Sequence, residues 1–87
     1  MTTSTIQIGG EYRYTGTQYR MHGWKVKVVG VFVPDGDGWY VESDPDEVET
    51  MGGIRRGQDV EVVGYSEKLG RYCFGSMEIN ARNLEEL

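Results

Sequence analysis

The sequence predicts an all-β fold held in one small domain of 87 residues. Three observations carry that prediction. The pentad VKVVG at 26–30 returns almost unchanged as VEVVG at 60–64, and each copy alternates valine with a charged residue, the period of a half-buried strand. Each copy is followed by a turn signal and then by a second run rich in aromatic and β-branched residues. Composition agrees. Thirteen glycines against two prolines supply tight turns to an ordered chain, and two Trp, six Tyr and two Phe are more aromatics than a disordered segment carries.

In chain order, residues 1–8 are expected to be a flexible lead-in. The opening MTTSTIQIGG has neither a basic n-region nor an apolar h-region, so it does not read as a secretory signal. GEYRY at 10–14 is a strand with Tyr12 and Tyr14 on one face and Glu11 and Arg13 on the other. Residues 15–23 form a long loop. From Trp24 the alternation of Trp24, Val26 and Val28 with Lys25 and Lys27 starts the first hairpin, and Gly30 inside it marks a bend or bulge. PDGDG at 34–38 is its turn and WYVES at 39–43 its return strand. The second hairpin runs DVEVVGYS, EKLG, RYCFGSM over 59–77, with Gly64 in the place of Gly30. INARNLEEL at 79–87 is the helix-friendly stretch, read as a short strand and then one helical turn that docks Leu84 and Leu87. Such a turn needs packing to persist. Val26, Val28, Val60, Val62 and Leu84 are expected in one core.

GEYRYTG at 10–16, the valine strand at 26–33, DVEVVG at 59–64 and NLEEL at 83–87 together resemble an SH3-like small β-barrel over residues 8–87. The resemblance implies a single five-stranded barrel with a short C-terminal helical turn. The chain departs from the proline-peptide-binding SH3 domains: it lacks their ALYDY-like opening and their late Pro and Tyr pair. It resembles the nucleic-acid-binding KOW type in having a glycine inside a valine strand. The superfold serves many functions, so function has to come from particular residues.

A chain of this length buries well under about 70% of the surface it exposes when unfolded. No disulfide adds to that, because Cys73 is the sole cysteine. It is read as a buried structural thiol, in keeping with a reducing, cytoplasmic location. The longest apolar run, around 28–33, is too short to cross a bilayer.

Catalytic chemistry finds little to stand on. His22 is the only histidine and has no nucleophile beside it in sequence, so it reads as a loop contact residue. No CxxC or HxxxH spacing exists, and neither a metal nor a cofactor is expected. The acidic run from Asp35 lacks the register of a calcium loop, and Trp39, Tyr40 and Val41 interrupt it. GGIRRG at 52–57 lacks the Walker lysine and serine and is read as a loop with exposed arginines.

Charge is the informative feature. Residues 1–33 carry Arg13, Arg20, Lys25 and Lys27 against Glu11, whereas residues 34–54 carry Asp35, Asp37, Glu42, Asp44, Asp46, Glu47 and Glu49 with no Lys or Arg. The leading expectation is a non-enzymatic protein-binding module. Its site is Asp35, Asp37, Trp39, Tyr40, Glu42, Asp44, Asp46, Glu47 and Glu49, facing a basic surface on a partner. If that surface normally takes nucleic acid, the protein acts as a DNA mimic. In size, acidity and lack of catalytic groups the chain resembles small phage-encoded inhibitors such as anti-CRISPR proteins. The alternative is nucleic-acid binding through Arg13, Arg20, Lys25, Lys27, Arg55 and Arg56, with Tyr19 or Trp24 stacking on bases. The acidic pI of about 4.7 opposes it. A monomer or a homodimer fits either reading.

Overall fold

The computed structural model describes residues 6–87, apart from the side chain of Tyr19. The chain forms β1 (Glu11–Tyr14), β2 (Lys25–Asp35), β3 (Gly38–Glu42), a short helix α1 (Pro45–Thr50), β4 (Asp59–Ser66), β5 (Arg71–Asn80) and β6 (Leu84–Glu86). The strands make one six-stranded antiparallel sheet in the order β5-β4-β2-β1-β6, with β3 paired to β2 as well. The fold is therefore mainly β, with six strands rather than five, and β5 and β6 at its two ends are not paired to each other.

The two pentads are neighbours. β2 and β4 run antiparallel at the centre of the sheet, so VKVVG is zipped against VEVVG, with Val26 opposite Gly64, Lys27 opposite Val63 and Val28 opposite Val62. Gly30 then pairs with Glu61 and Val31 with Val60, which leaves Val29 as an extra residue. This is the bulge that the glycine forecast. It has a packing consequence: in a regular strand Val28 and Val31 would face opposite ways, but across the bulge both enter the core. The second hairpin slips twice, on either side of Gly64. One of these bulges leaves Cys73 as the extra residue on the edge strand β5. Cys73 is accordingly exposed rather than buried.

One face of the sheet carries the core. Val26, Val28, Val31, Val60 and Val62 lie on the central strands, Tyr12 and Tyr14 come from β1, and Leu84 and Ile79 come from the C-terminal strands. Each fully buried aliphatic side chain contributes roughly 1.5–3 kcal/mol of transfer free energy. The lead-in is docked from Ile6 onward: Ile6 is buried and bridges to Ile54, while residues 1–5 lie outside the described residues.

The C-terminal region follows the expected order and then adds a strand. Ile79 and Asn80 end β5, a 3-10 turn (Ala81–Asn83) follows, and β6 comes after it and pairs with β1. Leu84 is fully buried, whereas Leu87 is exposed. Asn80 makes the turn by accepting the Arg82 N–H on its side-chain oxygen. The α-helix lies elsewhere, within the acidic stretch.

A projecting acidic ribbon and its helix

Pairing of β2 with β4 stops at Val31, but β2 runs on to Asp35 and pairs with β3 through Phe32–Val41, Val33–Tyr40, Pro34–Trp39 and Asp35–Gly38. The outer part of this hairpin is therefore a two-stranded ribbon extending past the sheet. Its loop is Gly36-Asp37, and Gly36 has φ of 64°, the positive value that a type II′ turn requires at its first central position. Strand alternation puts Trp39 and Tyr40 on opposite faces, which on a sheet with one covered face would leave one ring exposed. In a ribbon both faces are open, and Trp39 is 66% and Tyr40 42% exposed.

The acidic residues after the ribbon have a local structural use that the charge pattern did not reveal. Asp44 caps α1 by accepting the Asp46 N–H at 2.9 Å, with Pro45 at the first helical position and Asp46 and Glu47 in the first turn. Carboxylates there complement the helix dipole. Glu42 accepts the Asp44 N–H at 3.1 Å. Val48 pins the helix to the core. Thus the acidic stretch after the ribbon is a capped helix. Asp35, Asp37, Asp44, Asp46, Glu47 and Glu49 are exposed and Glu42 is half-buried. Among the described residues none of these carboxylates forms an ion pair; an ion pair that does form joins Lys25 to Glu11 at 3.7 Å.

The basic candidates are placed differently. Lys25 and Lys27 lie on the sheet face opposite the core, where Lys25 Nζ sits 3.9 Å from the Tyr65 ring centre and Lys27 Nζ 4.6 Å from that of Tyr72. Tyr65 and Tyr72 pack edge to face across β4 and β5 with centroids 5.0 Å apart. The Tyr72 hydroxyl donates to Glu11 Oε1 at 2.6 Å. That bond holds the Glu11 carboxyl below its ordinary value, with Lys25 and Lys27 adding to the effect. Burial and the Glu11 carboxylate push the Tyr72 hydroxyl well above the usual tyrosine range. Arg13 donates to the Gly23 carbonyl at 2.7 Å, and Arg56 to the Leu84 carbonyl at 2.9 Å. Arg20 is exposed in a left-handed conformation with φ of 56°, and Arg55 is exposed on the 52–57 loop. The Tyr19 side chain lies outside the described residues. Trp24 packs on Phe74 with ring centroids 5.1 Å apart, both over Gly64.

Sequence reasoning missed two aromatic pairs, Tyr65 with Tyr72 on the lysine face and Trp24 with Phe74 on the other face, because it weighted the aromatics of the first half. The signal was present in Gly64. A Cβ there would lie 3.2 Å from Trp24 Cε3 and 3.3 Å from Phe74 Cβ, so the missing side chain makes room for the ring pair.

No catalytic pairing emerges around His22, whose Nδ1 lies 3.0 Å from the Thr15 carbonyl oxygen and 3.1 Å from that of Gly16. Among the described residues no group of three or more His, Cys, Asp or Glu is placed to hold a metal ion. No helix among them is long and apolar enough to cross a membrane. An open cleft of about 620 Å³ lies between residues 6–8 and α1, with Glu49 as its charged wall. Comparison with known proteins finds no matching family model, curated protein or solved structure.

Proposed function

We propose that the protein is a non-enzymatic binding module whose ribbon and helix, Asp35 to Glu49, engage a basic surface on a protein partner. The observation that carries this reading is the contrast between the two charge sets. The acidic carboxylates are presented beside exposed Trp39 and Tyr40 with no counter-charge of their own. Lys25, Lys27, Arg13 and Arg56 meanwhile spend contacts on tyrosine rings, Glu11 or main-chain carbonyls. Nucleic-acid binding through the basic set is for that reason the weaker reading. An aromatic anchor inside a field of one sign suits a protein contact, since the ring gives contact energy and the field gives speed and orientation.

The proposal extends to the kind of partner. A basic patch that ordinarily holds nucleic acid is the surface most complementary to these carboxylates, and a cytoplasmic phage-type inhibitor of anti-CRISPR character would use them as a DNA mimic. The sheet is read as the frame of an SH3-like barrel, supported by the long first loop, the glycine-bulged second strand and the β1–β6 pairing. The test is capture from a nuclease-treated host lysate with wild type and with Asp37→Lys combined with Glu49→Lys. A protein retained by wild type in low salt, displaced by DNA and lost with the charge-reversed variant supports the reading. Recovery that vanishes on nuclease treatment overturns it in favour of nucleic acid.

A further inference from the structure

We infer that the free edge of β3 is a pairing template for an extended basic strand of the partner, a mode that rests on the acidic-surface reading and specifies its geometry. Among the described residues β3 pairs with β2 alone, in unbroken register from Glu42 to Gly38, which leaves the main-chain groups of its other edge open among them. A two-residue loop is closed by a hydrogen-bonded pair, here Asp35 and Gly38. The alternation of an antiparallel ladder then turns the N–H and C=O groups of Trp39 and Val41 away from β2, toward the free edge.

The other two edges of the sheet are protected in ways that β3 is not. β5 is interrupted by two register shifts, and bulges spoil an edge for pairing. β6 is only three residues long. β3 has no bulge, proline or lysine within it, and Val41 lies close over Gly30 of β2, where a side chain would not fit.

The occupant follows from charge. A second copy pairing antiparallel through β3 would bring Asp37 and Glu42 of one chain near Glu42 and Asp37 of the other, and like charges brought together oppose such pairing. A strand carrying Lys or Arg meets the opposite situation: carboxylates flank both ends of β3, and α1 adds Asp46, Glu47 and Glu49 nearby in the chain. Strand addition also gives the exposed rings a role, because Trp39 and Val41 share one face of the ribbon with Tyr40 on the other. Alternate side chains of an added strand would meet them in turn.

The probe is a capped eight-residue peptide of alternating Lys and Val, with two derivatives N-methylated at every Val or at every Lys. In an added strand only one parity of amides faces β3. One methylated series should therefore bind at least about tenfold more weakly than the parent peptide while the other keeps its affinity. Amide exchange at Trp39 and Val41 should slow on peptide binding, with Tyr40 unchanged. Val41→Pro, which removes an edge donor, should abolish the protection at Trp39, while Val41→Ala should retain it. Equal binding by both methylated series, or no slowing at Trp39 and Val41, overturns strand pairing. If that result accompanies loss of peptide binding in Asp37→Lys with Glu49→Lys, strand pairing alone has failed and the acidic surface stands.

Discussion

Val28 and Val62 lie directly opposite each other on the two central strands, each the third residue of its own pentad and each fully buried. Local symmetry follows from this: the antiparallel strands exchange the two pentads about a point between these valines, and each pentad ends in a glycine that allows a bulge.

Val62→Ala is expected to destabilise the protein by roughly 1–3 kcal/mol, from lost transfer energy and a small cavity. Val28→Ala should cost about as much. Because the two side chains face each other, the double variant should depart from additivity by about 0.5 kcal/mol or more. Urea denaturation of the four proteins measures the cycle, and a near-zero effect of Val62→Ala would contradict its place in the core.

Tyr72→Phe removes the hydroxyl that donates to Glu11 at 2.6 Å. The Glu11 carboxyl should then titrate at higher pH, because that bond is the largest of the influences that hold it below its ordinary 4.5. Since Glu11 is depressed in the folded state, its stabilising contribution is present above that ordinary value and is lost as pH falls through the folded one. Tyr72→Phe should accordingly flatten the acid side of the stability profile. Side-chain carboxyl NMR shifts followed with pH report the titration directly.

Glu78 behaves in the opposite sense. A hydrogen bond with Asp59, partial burial and the Asp59 charge raise its carboxyl above the ordinary 4.5, and Glu61 stands opposite it across the ladder. A raised acid favours folding below its unfolded value, and that contribution is lost as pH rises through the folded one. Glu78→Gln should therefore stabilise the protein at pH 7 by about 0.2–1 kcal/mol, the range for relieved cross-strand repulsion. The advantage should shrink as pH falls toward and below 4.5. Paired denaturation curves at neutral and acid pH test the sign.

For the captured partner, Asp37→Lys with Glu49→Lys should weaken binding most at low salt, since screening acts on exposed charges over about 10 Å at 0.1 M. Neither side chain caps the helix, so the fold should be unchanged by circular dichroism. Trp39→Ala should add a loss of about 2 kcal/mol or more that salt leaves in place, the scale of an aromatic anchor. An affinity indifferent to Trp39 would mean that the ribbon is not the contact.

The valine alternation of both pentads made the core legible in advance, and Gly30 announced the bulge that brings Val31 into it. The ribbon was legible as a hairpin but not as a projection, because its exposure depends on where β4 stops pairing with β2, a long-range fact. The helix was missed because a six-residue segment shows little periodicity, although Asp44-Pro45 followed by acids is a start signal that could have found it. Cys73 was misplaced because alternation assumes a regular strand, and β5 is bulged at that residue. The candidate acidic residues were legible from charge alone. Their freedom from ion pairs, and the tyrosine contacts that occupy Lys25 and Lys27, needed strands far apart in sequence to be brought together.

The pairing of β1 with β6 sets Tyr12 beside Glu86 and Tyr14 beside Leu84, contacts that span nearly the whole chain. Closing so long a loop costs entropy before those contacts repay it. The β4–β5 hairpin and its union with β2 can form from shorter-range encounters, but Tyr14 keeps an open flank until Leu84 arrives. On the ribosome, this core stays incomplete until β6 has emerged, and a stall at residue 80 would present the unfilled core side of β1 to whatever else is nearby.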